Sequence, residues 1–225
     1  MTVMRTKLAD RVLPNYTNNE ERFNSLSHLF GALLSLIGMI FCIIHSISIS
    51  STLSLVASII YGASNILLFT MSGTYHGLKV STTKKVFQIF DHCTIYLMIA
   101  GTYTPIILCG IFPINATAGM ILMGVEWGLA LLGIVLNSID LKRYKAFSLA
   151  LYLIMGWAVL PMFPIAVQAI GLQGFLWILA GGVVYSIGAI LYGIGAKKSI
   201  MHSIFHVCVV LACVLQFIGI YFFVL

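Results

Sequence analysis

The chain has 225 residues, of which 60% are hydrophobic and only 8% are charged, and its mean hydropathy is +1.07. A water-soluble domain of this size could not bury so much apolar surface, so the composition excludes one and indicates a chain that lies in lipid. The apolar runs are continuous and do not alternate with period two, which favours spanning helices over the strands of a transmembrane barrel. The predicted fold class is all-α, a polytopic membrane protein.

The N-terminal segment 1–25 is polar, and the first apolar run after it has no small-residue cleavage site. We therefore expect this segment to be retained in the cytoplasm and not cleaved as a signal. Asn18, which is followed by Glu20 and Glu21, indicates an N-cap, so a short interfacial helix is expected to begin there. The whole chain, 1–225, is expected to form one domain.

Seven apolar segments of about 20 residues follow in chain order, each long enough to span a membrane. The predicted spans, each with a boundary error of a few residues, are roughly 26–47, 52–77, 86–110, 117–138, 147–168, 174–195 and 201–225. Short connections make consecutive helices antiparallel neighbours in one bundle. Pro105 in the third span, and Pro161 with Pro164 in the fifth, are expected to kink or end those helices because proline lacks a backbone donor.

The basic residues all lie on one side of this topology. They precede the first span or join spans two and three, four and five, or six and seven. They are Arg5, Lys7, Arg11, Arg22, Lys79, Lys84, Lys85, Lys142, Arg143, Lys145, Lys197 and Lys198. Basic residues in short loops stay in the cytoplasm. The pattern therefore predicts a cytoplasmic N-terminus, an external C-terminus and location in the inner (plasma) membrane of the cell. The net charge of +6 also favours anionic lipid headgroups as neighbours, and nucleic acid is not an expected partner.

Five of the six histidines fall at one level, within roughly 12 Å of the predicted inner interface, and one aspartate shares that level. These residues are His28, His76, His92, His202, His206 and Asp91. His202 and His206 are four residues apart, so both rings lie on one helical face and can reach the same ion. Ser72 and His76 repeat this spacing on another helix.

The five histidines and Asp91 at this level are called the histidine layer below. From spacing alone, two interpretations of the histidine layer remain open, with about equal support. His76, His202 and His206, with a water, would form an open tetrahedral zinc site, in which Asp91 and Ser72 could orient a histidine or hold the water. Alternatively, the layer is structural, because a pair of histidines four residues apart is common. His28 and His92, taken singly, are better explained as polar side chains that bond neighbouring helices.

Five short motifs occur in order along the chain. They are residues 21–28 (ERFNSLSH), Ser72-x-x-x-His76, Asp91-His92 followed by Ile95-Tyr96, residues 100–105 (AGTYTP), and His202-x-x-x-His206. Together they resemble the hemolysin III branch of the progestin and adipoQ receptor family, which includes the adiponectin receptors and is related to the alkaline ceramidases. The resemblance covers nearly the whole chain.

The resemblance implies seven helices with the N-terminus inside and a zinc ion bound by His76, His202 and His206. Asp91 and Ser72 would lie beside the metal. The chain departs from the pattern at one position, since bacterial members often carry a further histidine where this sequence has Gln216. That position lies toward the opposite leaflet, so its loss is not expected to affect zinc.

Such a zinc site favours hydrolysis, with Asp91 as the general base and Ser72 with zinc stabilising the oxyanion. We expect a lipid amide or ester as substrate, entering from the inner leaflet in a ceramidase-like reaction. A non-enzymatic receptor or regulator of membrane lipid state, with structural zinc, remains the alternative. The sequence indicates no particular oligomeric state.

Two further classes receive less support. A pore-forming cytolysin would need a secretion signal or an amphipathic barrel-forming segment, and the sequence has neither. A transporter would favour inverted repeats, and no convincing repeat is present. The remaining intramembrane acid, Glu126, lies between Gly124 and Gly128, which are expected to form a small-residue packing face.

Overall fold

A computed structural model of the protein describes residues 6–195 and 198–225, so Arg5 and Lys197 lie outside the described residues. Within these ranges the chain is helical and contains no strand. In chain order the elements are α1 Asn18–Ser48, α2 Thr52–Gly77, α3 Thr82–Pro105, a π-helical turn Ile106–Ile111, α4 Phe112–Ile114, α5 Ala116–Asp140, α6 Lys145–Gly156, a 3₁₀ turn Leu160–Met162, α7 Phe163–Gly195 and α8 Ile200–Phe223. The predicted all-α class is confirmed.

Short polar side chains begin four of these helices. Thr17, Ser51, Ser81 and Asn115 each accept a hydrogen bond from the backbone N–H three residues further on, which satisfies a donor that the helix leaves free. Glu20 returns the bond to Thr17 and completes a capping box at the start of α1. The N-cap is thus Thr17, and the prediction of Asn18 was wrong by one residue.

Helix α1 runs unbroken from Asn18 to Ser48, so the short interfacial helix and the first predicted span are one helix. Proline acts as expected in α3. Because Pro105 has no N–H to donate, the helix widens into the π-helical turn Ile106–Ile111. It then continues to Ile114, four residues beyond the predicted end.

The fifth predicted span is broken where its prolines lie. Helix α6 ends at Gly156, and the hydroxyl of Tyr103 donates to the carbonyl oxygen of Gly156 (2.9 Å) and accepts from the N–H of Val159 (3.2 Å). A buried side chain thereby satisfies backbone groups freed by the break. Helix α7 contains a second interruption at Gly171, whose φ of 70° and ψ of 162° suit a residue without a Cβ.

Six helical stretches of the described chain are long and apolar enough to cross a membrane. They are Asn18–Ser48, Thr52–Gly77, Thr82–Ile114, Ala116–Asp140, Lys145–Gly195 and Ile200–Phe223. Large apolar side chains stay exposed along α1, including Leu26, Phe30, Leu33, Phe41 and Ile44, as expected of a lipid-facing surface. The chain is a multi-pass membrane protein. Their number differs from the seven predicted spans because Lys145–Gly195, 51 residues long, contains two of those predicted spans.

Helix packing brings one set of helix ends together. Helix α1 packs on α2 and α8, α2 packs on α3, and α7 packs on α8. Contacts at the helix ends show that the N-termini of α1, α3 and α8 share one end of the bundle with the C-termini of α2 and α7. The histidine layer lies at this end.

Helix α5 packs tightly on α3 at Gly133, away from the predicted small-residue face. A Cβ added at Gly124 or Gly128 would meet nothing within 4 Å, so these glycines do not pack against a neighbouring helix, and that prediction was wrong. A Cβ at Gly133 would instead lie 2.2 Å from the ring of Tyr96. Glu126 is fully buried, and neither of its carboxyl oxygens has a hydrogen-bond partner among the described residues.

Candidate metal centre

Three histidine rings from two helices meet at this end of the bundle. His76 lies in the last turn of α2, and His202 and His206 lie in the first two turns of α8. The Nε2 atoms of His202 and His76 are 3.4 Å apart, and those of His206 and His202 are 3.1 Å apart. All three side chains are buried. One ring nitrogen from each lies within 4.8 Å of the others.

These separations match those of ligands around one metal ion. Two nitrogens that each lie about 2.0–2.1 Å from zinc at a tetrahedral angle are about 3.3–3.4 Å apart. The two Nε2 separations that involve His202 fall close to this value. Imidazole nitrogens are also among the ligands that zinc and other transition metals prefer. The residues His76, His202 and His206 could therefore hold a metal ion.

Two further rings cover the cluster. The ring centroid of His28, in α1, lies 3.8 Å from that of His206 and 5.1 Å from that of Phe69. His28 thus packs its ring directly against the cluster from α1. Tyr16, before α1, stacks on His202 with ring centroids 4.9 Å apart. No feature of the sequence predicted the position of Tyr16.

A carboxylate and a lysine contact His76 from the side away from the other histidines. Oε2 of Glu21 lies 2.7 Å from Nδ1 of His76, and Oε1 lies 2.7 Å from Nζ of Lys84. The sequence alone did not indicate that these two residues belong to the site. The available signals were the motif of residues 21–28, which contains Glu21, and the position of Lys84 in a short basic loop.

The remaining predicted residues lie near the cluster but outside the group of ligand nitrogens. His92 donates from Nδ1 to the carbonyl oxygen of Gln88 (2.9 Å), and its Nε2 accepts from the hydroxyl of Tyr192 (3.2 Å). Oδ2 of Asp91 is 3.5 Å from Nδ1 of His92. Ser72 is buried one turn before His76. His92 thus bonds to its own helix and to α7, which is the structural role expected for it.

Two of the three histidines, His202 and His206, line one end of a cavity of about 150 Å³ whose walls come mainly from α3, α6, α7 and α8. The lining reaches from His202 to Gln216 on α8, about 20 Å along the helix axis. Most of the lining side chains are apolar. The polar side chains lie mainly at the end lined by His202 and His206, which is called the histidine end. They include Ser72, Asp91, His92, Lys145, Ser148 and Tyr192. Gln216 lines the opposite part of the cavity, away from the histidines, as expected.

The fold and this site together define a class of protein. It is a multi-pass helical membrane protein with a buried three-histidine cluster that could hold a metal ion, beside a long apolar cavity.

Comparison with known proteins gives the family. The family model described as haemolysin-III related matches residues 16–217, and the chain belongs to this family, which is of the progestin and adipoQ receptor type. The chain is 36% identical over 191 residues to the hemolysin-3 homolog of Bacillus subtilis (strain 168), which covers 85% of this chain and 88% of that protein. It is 34% identical over 206 residues to hemolysin-3 of Bacillus cereus, which covers 92% of each chain. The resemblance predicted from the five motifs is confirmed.

Proposed function

We propose that the protein is a zinc-dependent hydrolase that cleaves lipid amides or esters within the membrane. One observation carries this proposal. His202 and His206 line the polar end of a long apolar cavity, and His76 completes the three-histidine cluster beside them. Three imidazole ligands leave a fourth position open, which is the arrangement of catalytic zinc sites.

The chain's own residues supply the other groups that hydrolysis needs. Zinc bound to three imidazoles would supply a Lewis acid and lower the pKa of a coordinated water to about 7. Asp91 lines the cavity at the histidine end, where its carboxylate would accept a proton from the attacking water. Ser72 lines the same end, where its hydroxyl would donate a hydrogen bond to the carbonyl oxygen of the substrate.

The cavity supports a lipid as the substrate. Its apolar lining would accept an acyl chain, and its length of about 20 Å exceeds one leaflet, which is half of a hydrocarbon core about 30 Å thick. Helix α6 packs only sparsely against α7, so the gap between them is the proposed lateral entrance. The scissile amide or ester would then lie at the histidine end.

We also propose seven spans in the plasma membrane, with the N-terminus in the cytoplasm and the C-terminus outside. A single helix of 51 residues would be about 75 Å long, far more than the membrane is thick. The interruption at Gly171 divides Lys145–Gly195 into stretches that each suit one span. All the described basic residues then lie at the histidine end, which supports a cytoplasmic position for that end.

The test is hydrolysis by the purified protein loaded with zinc in lipid nanodiscs. N-acyl sphingosines, N-acyl amines and acylglycerols serve as substrates, and free fatty acid is measured by mass spectrometry. We expect turnover and about one zinc per chain in the wild type, and neither in His202→Ala or His206→Ala. His45→Ala is the matched control, since His45 lies at the other end of α1 beside Tyr221.

The second candidate is a non-enzymatic receptor or regulator of membrane lipid state, in which zinc joins α2 and α8. The close cover of the cluster by His28 and Tyr16 favours it, because it restricts access to the metal. Stoichiometric zinc without turnover of any substrate class would support this candidate over the hydrolase. A folded wild type that binds no zinc would contradict both.

A further inference from the structure

A partly buried ion pair touches the side of His76 that faces away from the metal cluster. Glu21 contacts Nδ1 of His76 through one carboxylate oxygen and Nζ of Lys84 through the other, both at 2.7 Å. The ammonium of Lys84 also donates to the carbonyl oxygens of Leu78 (2.9 Å) and His76 (3.4 Å). Lys84 is only 2% exposed, so its hydrogen bonds are made to protein groups and not to water.

This arrangement determines which nitrogen of His76 can bind a metal. A carboxylate accepts hydrogen bonds, so Nδ1 of His76 carries the hydrogen and Nε2 carries the lone pair. Nε2 is the nitrogen that lies 3.4 Å from Nε2 of His202. A carboxylate behind a ligating histidine holds the ring orientation and makes the ring a stronger ligand.

The neighbouring glutamate shows that this contact is specific to one position. Glu20 lies in the same turn of α1, but its carboxylate accepts from the backbone N–H and the hydroxyl of Thr17, at 2.8 Å and 2.9 Å. Glu20 therefore caps the helix and also contacts Ser199 before α8, whereas Glu21 reaches across to His76 on α2 and Lys84 on α3. A favourable interaction with the helix dipole is available to both residues and does not distinguish them.

We propose that Glu21, held in place by Lys84, is a positioning residue for metal binding by His76. The proposal rests on the metal centre of the proposed function and extends it to a pair of residues on α1 and α3. It ties the start of α1 to a ligand on α2 through one carboxylate. Removal of Glu21 would leave the His76 ring free to rotate and would remove the acceptor that selects its tautomer.

The experiment measures zinc affinity, and the stability of the metal-free protein separates a positioning role from a purely structural one. Metal-free protein in detergent is titrated with zinc against a chromophoric chelator for the wild type, Glu21→Ala, Glu21→Gln, Lys84→Met and Glu20→Gln. We expect Glu21→Ala to weaken zinc binding about 10- to 100-fold, as for other partners of metal-bound histidines. Glu21→Gln retains a hydrogen-bond acceptor for His76 and should lose less zinc affinity than Glu21→Ala. The zinc affinity of Lys84→Met should lie between those of Glu21→Ala and the wild type. The zinc affinity of Glu20→Gln should equal that of the wild type.

A second measurement uses cobalt in place of zinc. The visible absorption bands of bound cobalt report the ligand geometry, so Glu21→Ala should shift them and Glu20→Gln should not. Thermal unfolding without metal identifies any variant whose fold is impaired, and Glu21→Gln then replaces Glu21→Ala.

Wild-type zinc affinity together with an unshifted cobalt spectrum in a folded Glu21 variant would overturn the positioning role and leave the metal centre intact. A wild type that binds neither metal would overturn the metal centre itself.

Discussion

The phenol ring of Tyr16 lies stacked on the imidazole of His202, with the ring centroids 4.9 Å apart and the planes inclined by 19°. Tyr16 belongs to the segment that precedes α1. The backbone N–H of Thr6 donates to Asp140 at 2.8 Å, and Nζ of Lys85 donates to the carbonyl oxygen of Ala9. The segment is thus tied to α5 and α3 across the histidine end of the bundle, where Tyr16 covers the cluster.

Replacement of Tyr16 should speed up metal exchange. We expect a chelator to remove zinc from Tyr16→Ala about tenfold faster than from the wild type, because a stacked ring pair contributes about 0.5–1.5 kcal/mol. Tyr16→Phe keeps the ring and should behave like the wild type. Stopped-flow absorbance with a coloured chelator measures the rate, and equal rates for Tyr16→Ala and the wild type would mean that the ring does not cover the metal.

Asp91 should act in hydrolysis and not in metal binding. It is not among the three residues whose nitrogens converge, so we expect Asp91→Asn to retain zinc while kcat falls by about 10²- to 10⁴-fold. Asp10→Asn, in the exposed N-terminal segment, provides a matched control and should keep full activity. Metal analysis and fatty acid release on the same preparation separate the two effects. Loss of zinc from Asp91→Asn would make Asp91 part of the metal site.

The packing of Gly133 against Tyr96 should make this glycine irreplaceable. A Cβ at Gly133 would overlap the ring of Tyr96, so we expect Gly133→Ala to destabilise the protein by about 1–3 kcal/mol. Gly128→Ala lies on the same helix in open space and should be neutral or stabilising by up to about 1 kcal/mol. Thermal unfolding in detergent measures both. A lower melting temperature for Gly128→Ala than for Gly133→Ala would contradict this packing.

The buried carboxyl group of Glu126 should destabilise the folded protein. It is fully buried and its carboxyl oxygens have no partner among the described residues, so we expect Glu126→Leu to raise stability by about 1–3 kcal/mol. Glu126→Gln retains a polar group of the same shape and should change stability little. The melting temperature reports this difference. A folded Glu126→Leu protein that loses lipid hydrolysis would instead assign a functional role to Glu126.

The proposed topology predicts which side of the membrane each loop faces. In a variant without the five native cysteines, Ser50→Cys and Gln173→Cys should react with a membrane-impermeant maleimide added outside intact cells. Ser81→Cys and Lys198→Cys should react only after permeabilisation. A reporter fused after Leu225 should lie outside. A cytoplasmic C-terminus combined with a cytoplasmic N-terminus would instead require an even number of spans.

The sequence by itself determined which segments lie in lipid and which residues share one helical face. Continuous apolar runs require helices, because a membrane offers no water to satisfy free backbone groups. The four-residue spacing of His202 and His206 places both rings on one face of a helix, independently of how the other helices pack. Counting residues from the basic loops was enough to predict that five histidines share one level.

Breaks and joins between helices were harder to predict. The sequence placed a boundary near 168–174, where the structure has one helix interrupted at Gly171. It also divided residues 18–47 into an interfacial helix and a span, which the structure joins in one helix. Hydropathy reports burial in lipid, but α1 extends through polar residues because Thr17 and Glu20 cap its first turn.

Only the tertiary structure decided which side chains meet between helices. Glu21 and His76 are 55 residues apart, and Tyr16 and His202 are 186 residues apart, so no local period relates them. Their contacts depend on how far each helix is rotated about its axis and how closely it approaches its neighbours. Close contacts such as that of Gly133 with Tyr96 set that rotation and distance, and hydrophobicity does not encode them.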